Sequence, residues 1–310
     1  MSDERLTRRD LLKRAAAAGL AAYGLTELTG LSPLGEAGAA QAAPEPTIAV
    51  ASDREPAQLV RAAVEALGGM DKFVRRGATV LVKPNIAWTR RPEQAATTNP
   101  EIVAEVVRLC RAAGARQVKV MEHSVDRPDA VLPEITGIGP AAQRAGATVT
   151  MASSPALYQR LRLPRGKAVT QVDVLREVMR ADVFINVPIA KVHSATDLTL
   201  GLKNLMGVIW DRGAYHSSPS LDQAIADFAG QVKPHLVVLD AYRVLLSNGP
   251  KGPGRTKDLR TVVVGADPLA VDAYGAKLLG REPGRVNHLA RAREMGVGEL
   301  DLARIKIRNV

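Results

Sequence analysis

The chain has 310 residues, of which 46% are hydrophobic and only 3% aromatic, and its formal net charge is +10. A nucleic-acid-binding protein clusters its basic residues and interleaves aromatic ones; here Lys and Arg are dispersed, so no nucleic-acid partner is expected and the charge favours a small anionic ligand. The single cysteine, Cys110, cannot form an internal disulfide or hold an iron–sulfur cluster, so neither is expected.

The N-terminal segment has the three parts of an export signal. Twin arginines, Arg8 and Arg9, precede a run rich in Ala, Gly and Leu, and small residues lead up to Ala42. This order is typical of a twin-arginine signal peptide over residues 1–42, with an ordinary secretory signal, a surface helix or an uncleaved anchor as alternatives. Because Glu27 interrupts the apolar run, we expect no permanent membrane span and membrane contact only through this segment. The twin arginines predict the twin-arginine export machinery as a partner. The expected location is periplasmic or otherwise extracytoplasmic.

Residues 43–310 alternate short strand-like runs with amphipathic helical patterns. Strands separated by helices indicate βαβ units, so we predict a single α/β domain. A mostly parallel central sheet would carry helices on both faces in three layers, with room for a small subdomain. The predicted strands are TIAVAS, ATVLVKPN, RQVKVMEHS, TVTMAS, DVFINVPIA, HLVVLDAYRVLL and TVVVGAD.

Polar residues follow five of these predicted strands. In an open parallel sheet, ligands bind outside the carboxyl ends of the strands, so these residues are expected to converge on one edge. The strand-end residues are Lys83 and Asn85, Glu122, Lys191 and His193, Asp240, and Asp267.

The segment TDLTLGLKNLMG predicts a helix that begins at Thr196 or Asp197 and ends at Gly207. The helix would be apolar on nearly every side, which is typical of a buried helix. A buried Lys203 and Asn204 then need partners, either acids elsewhere in the chain or a bound ligand, and we favour the ligand. Similarly, Thr98-x-x-Glu101 matches a capping box at a helix N-terminus, a place where anions also bind.

These patterns assign three sets of candidate residues. The catalytic candidates are His193 as general acid or base, Lys203 and Asp240. The substrate-binding candidates are Lys83, Asn85, Thr98, Lys191 and Asn204. The candidate ligands of a divalent metal are Glu122, His193 and His216, since carboxylate and imidazole groups suit such ions.

The order of motifs VLVKPN, TTNPEIVAEVV, DVFINVPIAKVH, LGLKNLMG, LVVLDA and VVVGADPLAVDAYGAKLLG resembles the domain of unknown function 362 family, over about residues 47–280. The resemblance implies the fold more firmly than a reaction. Members commonly carry a ferredoxin-like segment with clustered cysteines, which this sequence lacks. In general layout the chain is also loosely similar to nickel-dependent lactate racemases, without a motif that carries their chemistry over. The residues that match the family's polar motifs are Lys83, Asn85, Thr98, Glu122, Lys191, His193, Lys203, Asn204, His216, Asp240, Asp267 and Asp272.

The sequence therefore predicts an exported enzyme with a Lys/His/carboxylate cleft for a small anionic substrate, assisted by a divalent metal if one binds. A non-catalytic binding protein for a metal or solute, or a buried polar network without a ligand, are the alternatives. Nucleotide-binding and serine-hydrolase motifs are absent from the sequence, and it assigns no reaction class.

Overall fold

The computed structural model describes residues 46–126 and 131–310. The predicted signal peptide, residues 1–42, lies outside the described residues. Pro44–Val310 cluster into one compact unit. Within the described ranges, no helix combines the length and apolar character needed to cross a membrane.

Strands and helices alternate along the described chain, as the sequence pattern predicts. The strands are β1 (Thr47–Ser52), β2 (Thr79–Pro84), β3 (Gln117–Glu122), β4 (Thr148–Met151), β5 (Tyr158–Arg162), β6 (Gln171–Leu175), β7 (Val183–Val187), β8 (Ile189–His193), β9 (Asp197–Thr199), β10 (Leu236–Leu245), β11 (Thr256–Gly265) and β12 (Lys306–Asn309). The helices are α1 (Pro56–Ala66), α2 (Pro100–Ala112), α3 (Val131–Ile135), α4 (Ile138–Arg144), α5 (Arg176–Arg180), α6 (Gly201–Asn204), α7 (Gly213–His216), α8 (Leu221–Gln231), α9 (Pro268–Leu278) and α10 (Asn287–Glu294).

The main sheet follows the order β12-β1-β11-β10-β7-β2-β3-β4. Every neighbouring pair on this path is parallel except those of β11, which runs antiparallel to both β1 and β10. Strand β8 extends the sheet beside β10, and β9 pairs antiparallel with β8. Strands β5 and β6 form a separate antiparallel hairpin. The predicted mostly parallel α/β fold is confirmed.

The sheet is buried on both faces, which explains why its strands are apolar runs rather than alternating patterns. In β2, Leu81 packs into one core, and Val80 and Val82 into the other. The first core includes Leu202 of α6, Ile225 of α8, Leu269 of α9 and Leu289 of α10. The second core includes Leu59 of α1, Ile102 of α2 and Ile138 of α4. Each such fully buried side chain contributes about 1.5–3 kcal/mol, so the three layers fix the carboxyl edge of the sheet firmly.

Two predicted helix starts are wrong. Residues 197–199 form β9, because they pair with β8 through Lys191↔Thr199 and His193↔Asp197, and helix α6 begins only at Gly201. Helix α2 takes Asn99 as its N-cap, since the Asn99 side chain accepts from the Glu101 N–H at 2.8 Å, so Thr98 does not form the predicted capping box.

The direction of β11 corrects the expectation that all the strand-end residues converge. Asp267 follows β11, whose carboxyl end lies at the opposite edge from those of β2, β3 and β7 because β11 is antiparallel. There Asp267 caps α9 by accepting from the Leu269 and Ala270 N–H groups at 2.9 and 3.0 Å. Asp267 is therefore a helix cap away from the other strand-end residues.

Candidate functional site

A cavity of about 420 Å³ opens beside the carboxyl ends of β2, β3 and β8. Its size falls in the range of small-molecule sites, about 300–1,000 Å³. Seven polar residues of its lining are at most 9% exposed, and they form what we call the floor: Lys83, Asn85, Glu122, Lys191, Thr199, Lys203 and Asn204. The structure thus brings together residues that lie more than a hundred positions apart in the chain.

Lys83 and Glu122 form a buried ion pair on the floor, with 2.7 Å between Nζ and Oε2. The Lys83 ammonium also donates to the Pro84 carbonyl oxygen at 2.7 Å and to Asn204 Oδ1 at 3.1 Å. Burial lowers the pKa of Lys83, and the neighbouring Glu122 partly offsets this effect. Since an ammonium has three donors, Lys83 has none left for a ligand. Lys83 lines the cavity with its three donors engaged within the protein, and its substrate-binding role stays a prediction.

Three asparagines connect the floor. Asn85 Nδ2 donates to Asn204 Oδ1 at 2.9 Å, and Asn204 Nδ2 donates to Asn186 Oδ1 at 2.8 Å. Asn186 in turn donates to the Gly201 carbonyl oxygen at 2.9 Å, which fixes the start of α6. Sequence reasoning missed Asn186, although an amide inside the apolar run VFINV is a signal that could have found it. The network holds Lys203 and Asn204 at a fixed position relative to β2 and β7.

Lys191 and Lys203 are the floor cations without a carboxylate partner. Lys191 Nζ donates to Asn85 Oδ1 at 3.3 Å and to the Ala96 carbonyl oxygen. Within the described part of the chain, Lys203 Nζ has the sulfur of Met206, at 3.0 Å, as its one hydrogen-bond partner. Burial lowers the pKa of Lys191 to about 7. Burial, and then the charge of Arg212, lowers the pKa of Lys203 to about 8. Both amines therefore titrate near neutral pH and retain unused donors toward the cavity.

His193 and His216 line the cavity above these lysines. His193 Nδ1 accepts from the Ala195 N–H at 3.0 Å, so we assign its proton to Nε2. Burial, and then Lys203 and Lys191, lowers the pKa of His193 to about 3. His193 is therefore neutral near neutral pH and offers its Nε2–H as a donor, and its role as general acid or base stays a prediction. Burial and then Lys203 also lower the pKa of His216.

Arg212 is a cavity residue that the sequence analysis left out of its candidate sets. Its Nη1 donates to the His123 carbonyl oxygen at 2.7 Å, and its Nη2 donates to the Ser124 carbonyl oxygen. A guanidinium has five donors, so Arg212 retains some for a ligand. In the sequence, Arg212 stands in the polar loop WDRGAYH, and only the fold carries this loop to the end of β3.

Thr98 and Asp240 do not line the cavity. The Thr98 hydroxyl accepts from the Asn85 N–H and donates to the Val187 carbonyl oxygen, both at 2.8 Å. Asp240 accepts from the Asn99 and Tyr242 N–H groups at 2.7 and 2.9 Å, and burial raises its pKa to about 6. Both side chains hold backbone segments in place outside the cavity lining, and the substrate-binding role of Thr98 and the catalytic role of Asp240 stay predictions.

Asp272 lies on α9 behind the site and is fully buried. Its two carboxylate oxygens accept from the Gly201 and Leu202 N–H groups at 2.6 and 2.8 Å. Burial raises the pKa of Asp272 to about 7, against the effect of these two hydrogen bonds. Asp272 therefore supplies the N-terminal cap that α6, which carries Lys203, lacks in its own sequence.

The expected metal ligands Glu122, His193 and His216 share the cavity, but they do not form a donor set. Among the residues that the structure describes, no group of three or more His, Cys, Asp or Glu side chains is placed to hold a metal ion. One reason is that Glu122 Oε2 is bound by Lys83 and by the Ile86 N–H. Another is the local surplus of positive charge, which opposes a cation.

Gly207 permits the close approach of the turn that follows α6. A Cβ at this position would lie 1.9 Å from Glu122 Oε1 and 2.6 Å from Lys83 Nζ. Any side chain here would push against the buried ion pair. The close packing at the floor of the cavity therefore explains why the LKNLMG motif has a glycine at this position.

Comparison with known proteins agrees with the motif pattern. A curated thylakoid-associated protein of Synechocystis sp. is 27% identical over 256 residues, which cover 77% of this chain and 74% of that protein. Among solved structures, the lactate racemase apoprotein of Thermoanaerobacterium thermosaccharolyticum is similar with a TM-score of 0.50 at 12% identity. The match covers 76% of this chain and 57% of that protein's length, and at this identity it supports the α/β fold alone.

The family described as Domain of unknown function (DUF362) matches residues 80–277. This range begins in β2 and ends in α9, so it contains the whole floor of the cavity. The Lys-Pro-Asn corner, the Lys-x-His strand end and the LKNLMG segment all fall within it and meet around one cavity. The chain belongs to the DUF362 family.

Proposed function

We propose that the protein is an exported enzyme that binds a small anionic substrate in this cavity. One observation carries the proposal. Lys191, Lys203 and Arg212 line the cavity with unused donors, and the carboxylate of the floor, Glu122, is already paired with Lys83. A phosphate or carboxylate group of the substrate would supply the missing counter-charge.

The lowered lysine pKa values support this assignment. Burying an ammonium without a partner is costly, so the empty cavity favours the neutral amines. A bound anion would favour the charged forms again and raise both pKa values. Lys203 is our candidate for the acid–base residue, because its pKa of about 8 allows proton exchange near neutral pH. His193 would orient the substrate through its Nε2–H.

Export by the twin-arginine route is part of the proposal and is supported by the motif at Arg8 and Arg9. The Synechocystis relative is named as thylakoid-associated. That name is compatible with an extracytoplasmic or membrane-associated location for this chain. The proposed mechanism uses no metal, and elemental analysis of the protein purified without chelators tests the metal prediction separately.

The first experiment measures thermal unfolding of the full chain with a panel of carboxylates and phosphate esters. We expect at least one anion to stabilise the wild type, by about 2.7 kcal/mol at a hundredfold excess over its Kd. Lys203→Met should lose this effect. Lys277→Met should keep it, because Lys277 is exposed on α9 and lies outside the cavity lining.

Anions that bind are then incubated with the protein and analysed for product. Conversion that is lost in Lys203→Met supports an enzyme. Stoichiometric binding with every anion recovered unchanged would contradict catalysis and favour a solute-binding protein. A panel in which no anion stabilises the wild type more than Lys203→Met would contradict the anion site itself.

A further inference from the structure

We propose that the substrate is an amphipathic anion, with its acidic group on the lysines of the floor and an apolar tail at the mouth of the cavity. The inference rests on the proposed function, since it names the substrate class of the same cavity. It is carried by a group of apolar side chains in the exposed part of the lining, which also includes the polar residues Ser194 and His216.

The mouth of the cavity carries apolar side chains from four separate loops. We call this group the apolar rim, and it consists of Ala87, Trp88, Val125, Ala195 and Pro250. All five are partly or fully exposed, whereas the floor residues are at most 9% exposed. Val125 is 51% exposed, the highest value for a large apolar side chain among the described residues. Exposed apolar surface beside a pocket is typical of a ligand-binding site.

The loops of the rim are held together by contacts of their own. The Val125 N–H donates to the Ala87 carbonyl oxygen at 3.0 Å, and the Ser194 N–H donates to the Gly249 carbonyl oxygen at 3.3 Å. The Lys251 ammonium lies 5.5 Å from the centroid of the Trp88 ring. The apolar rim is therefore formed before any ligand binds, which reduces the entropy that a ligand loses on ordering it.

The size of the cavity favours a ligand larger than its acidic group. A single carboxylate or phosphate on Lys191 and Lys203 would fill only a part of about 420 Å³. The remaining space would hold water, part of it against the apolar side chains of Trp88 and Val125. An alkyl or aryl tail would displace this water and bury the apolar rim.

The test measures, by calorimetry on the full chain, the affinity for butanoate, hexanoate and octanoate, for the matching alkyl phosphates, and for 1-octanol. We expect affinity to rise by about fourfold for each methylene that the rim buries. 1-Octanol should bind at least tenfold more weakly than octanoate, because it lacks the anionic group.

Two variants assign the effect to the rim. Trp88→Ala and Val125→Ser should each reduce the gain per methylene and leave butanoate binding within about twofold. Met179→Ser is the control, since Met179 is 44% exposed on α5 and lies outside the cavity lining. Val125→Ser tests the proposal even if Trp88→Ala disturbs its loop, because the Val125 side chain is half exposed.

The possible failures are distinguishable. Equal affinity for butanoate and octanoate would overturn the amphipathic substrate and leave the anion site standing. Equal affinity for octanoate and 1-octanol would overturn the anion site itself. Binding of none of these ligands would contradict both proposals.

Discussion

Lys83 and Lys203 show that one residue type has two roles in the same cavity. Lys83 is fully buried, and its ammonium group donates its three hydrogen bonds to Glu122, Asn204 and the Pro84 carbonyl oxygen. Lys203 is 9% exposed and has a thioether as its hydrogen-bond partner. The first lysine stabilises the floor, and the second is available to a ligand. This difference depends on neighbours distant in sequence, so the residue patterns alone could not separate the two.

At this scale we predict that Glu122→Gln destabilises the protein strongly. Removing one partner of a buried ion pair leaves the other charge uncompensated, which costs about 3–5 kcal/mol in unfolding free energy. The measurement is equilibrium denaturation in urea. Asp173→Asn is the matched control, because the Arg160–Asp173 pair is partly exposed, at 58% and 32% of the two side chains, and surface pairs contribute at most about 1 kcal/mol. A loss for Glu122→Gln no greater than that of the control would refute the structural role of the pair.

At the scale of elements, the short helix α6 depends on its neighbours. It has four residues and no side-chain cap of its own, and its first N–H groups are accepted by Asp272 of α9. Isolated helices of this length do not persist in water. The position of Lys203 is therefore set by Asp272 and by the Asn186–Gly201 contact, rather than by local helix propensity.

We therefore predict that Asp272→Ala weakens both the fold and anion binding. Each buried donor left without a partner costs about 1–3 kcal/mol, and α6 would lose its alignment with the cavity. Asp267→Ala is the matched control on the same helix: it removes the α9 cap, at a cost of about 1 kcal/mol, together with the acceptor of the Glu299 N–H, and it should leave anion affinity unchanged. Denaturation and calorimetry measure the two effects, and unchanged anion affinity in Asp272→Ala would disprove this account of α6.

Strand direction explains which predictions from sequence succeeded. The prediction that polar residues after parallel strands lie at one edge of the sheet is correct for Lys83, Glu122, Lys191 and His193, because β2, β3 and β8 run in the same direction in one sheet. It failed for Asp267 because β11 is antiparallel, and the residues of β11 do not encode the direction of its partners. The helical spacing of apolar residues in TDLTLGLKNLMG also predicted a helix where β9 forms, because the pairing of β9 with β8 is a tertiary contact.

At the scale of the whole molecule, the α/β fold and the family could be predicted from the order of strands and motifs, and both are confirmed. The complete cavity could not. Arg212, Trp88 and Val125 belong to loops with no helical or strand period, and they meet only because the sheet brings their anchors together. The polar residues at strand ends thus predicted the floor of the cavity from the sequence, whereas the residues at its mouth could be identified only from the structure.

Export is a prediction about the whole chain. Changing Arg8→Lys and Arg9→Lys together keeps the charge but removes the twin arginines, so we expect the unprocessed protein to accumulate in the cytoplasm. Fractionation and immunoblotting in a bacterium with the twin-arginine pathway measure this. Arg14→Lys is the control within the same segment and should be exported normally. Normal export of the double variant would argue against the twin-arginine route and for an ordinary secretory signal.

The most direct test of the anion site is the number of protons taken up when the best ligand of the panel binds. Lys191 and Lys203 have pKa values of about 7 and 8, so at pH 8 the free protein has Lys191 mostly neutral and Lys203 about half neutral. An anion raises these values, so binding must take up protons, and affinity must fall as pH rises through 7 and 8. Calorimetry at pH 8 in two buffers of different ionisation enthalpy measures the uptake. We predict an uptake approaching one proton per ligand that is reduced in Lys191→Met and Lys203→Met. Binding without proton uptake, at the same affinity in both variants, would contradict the account.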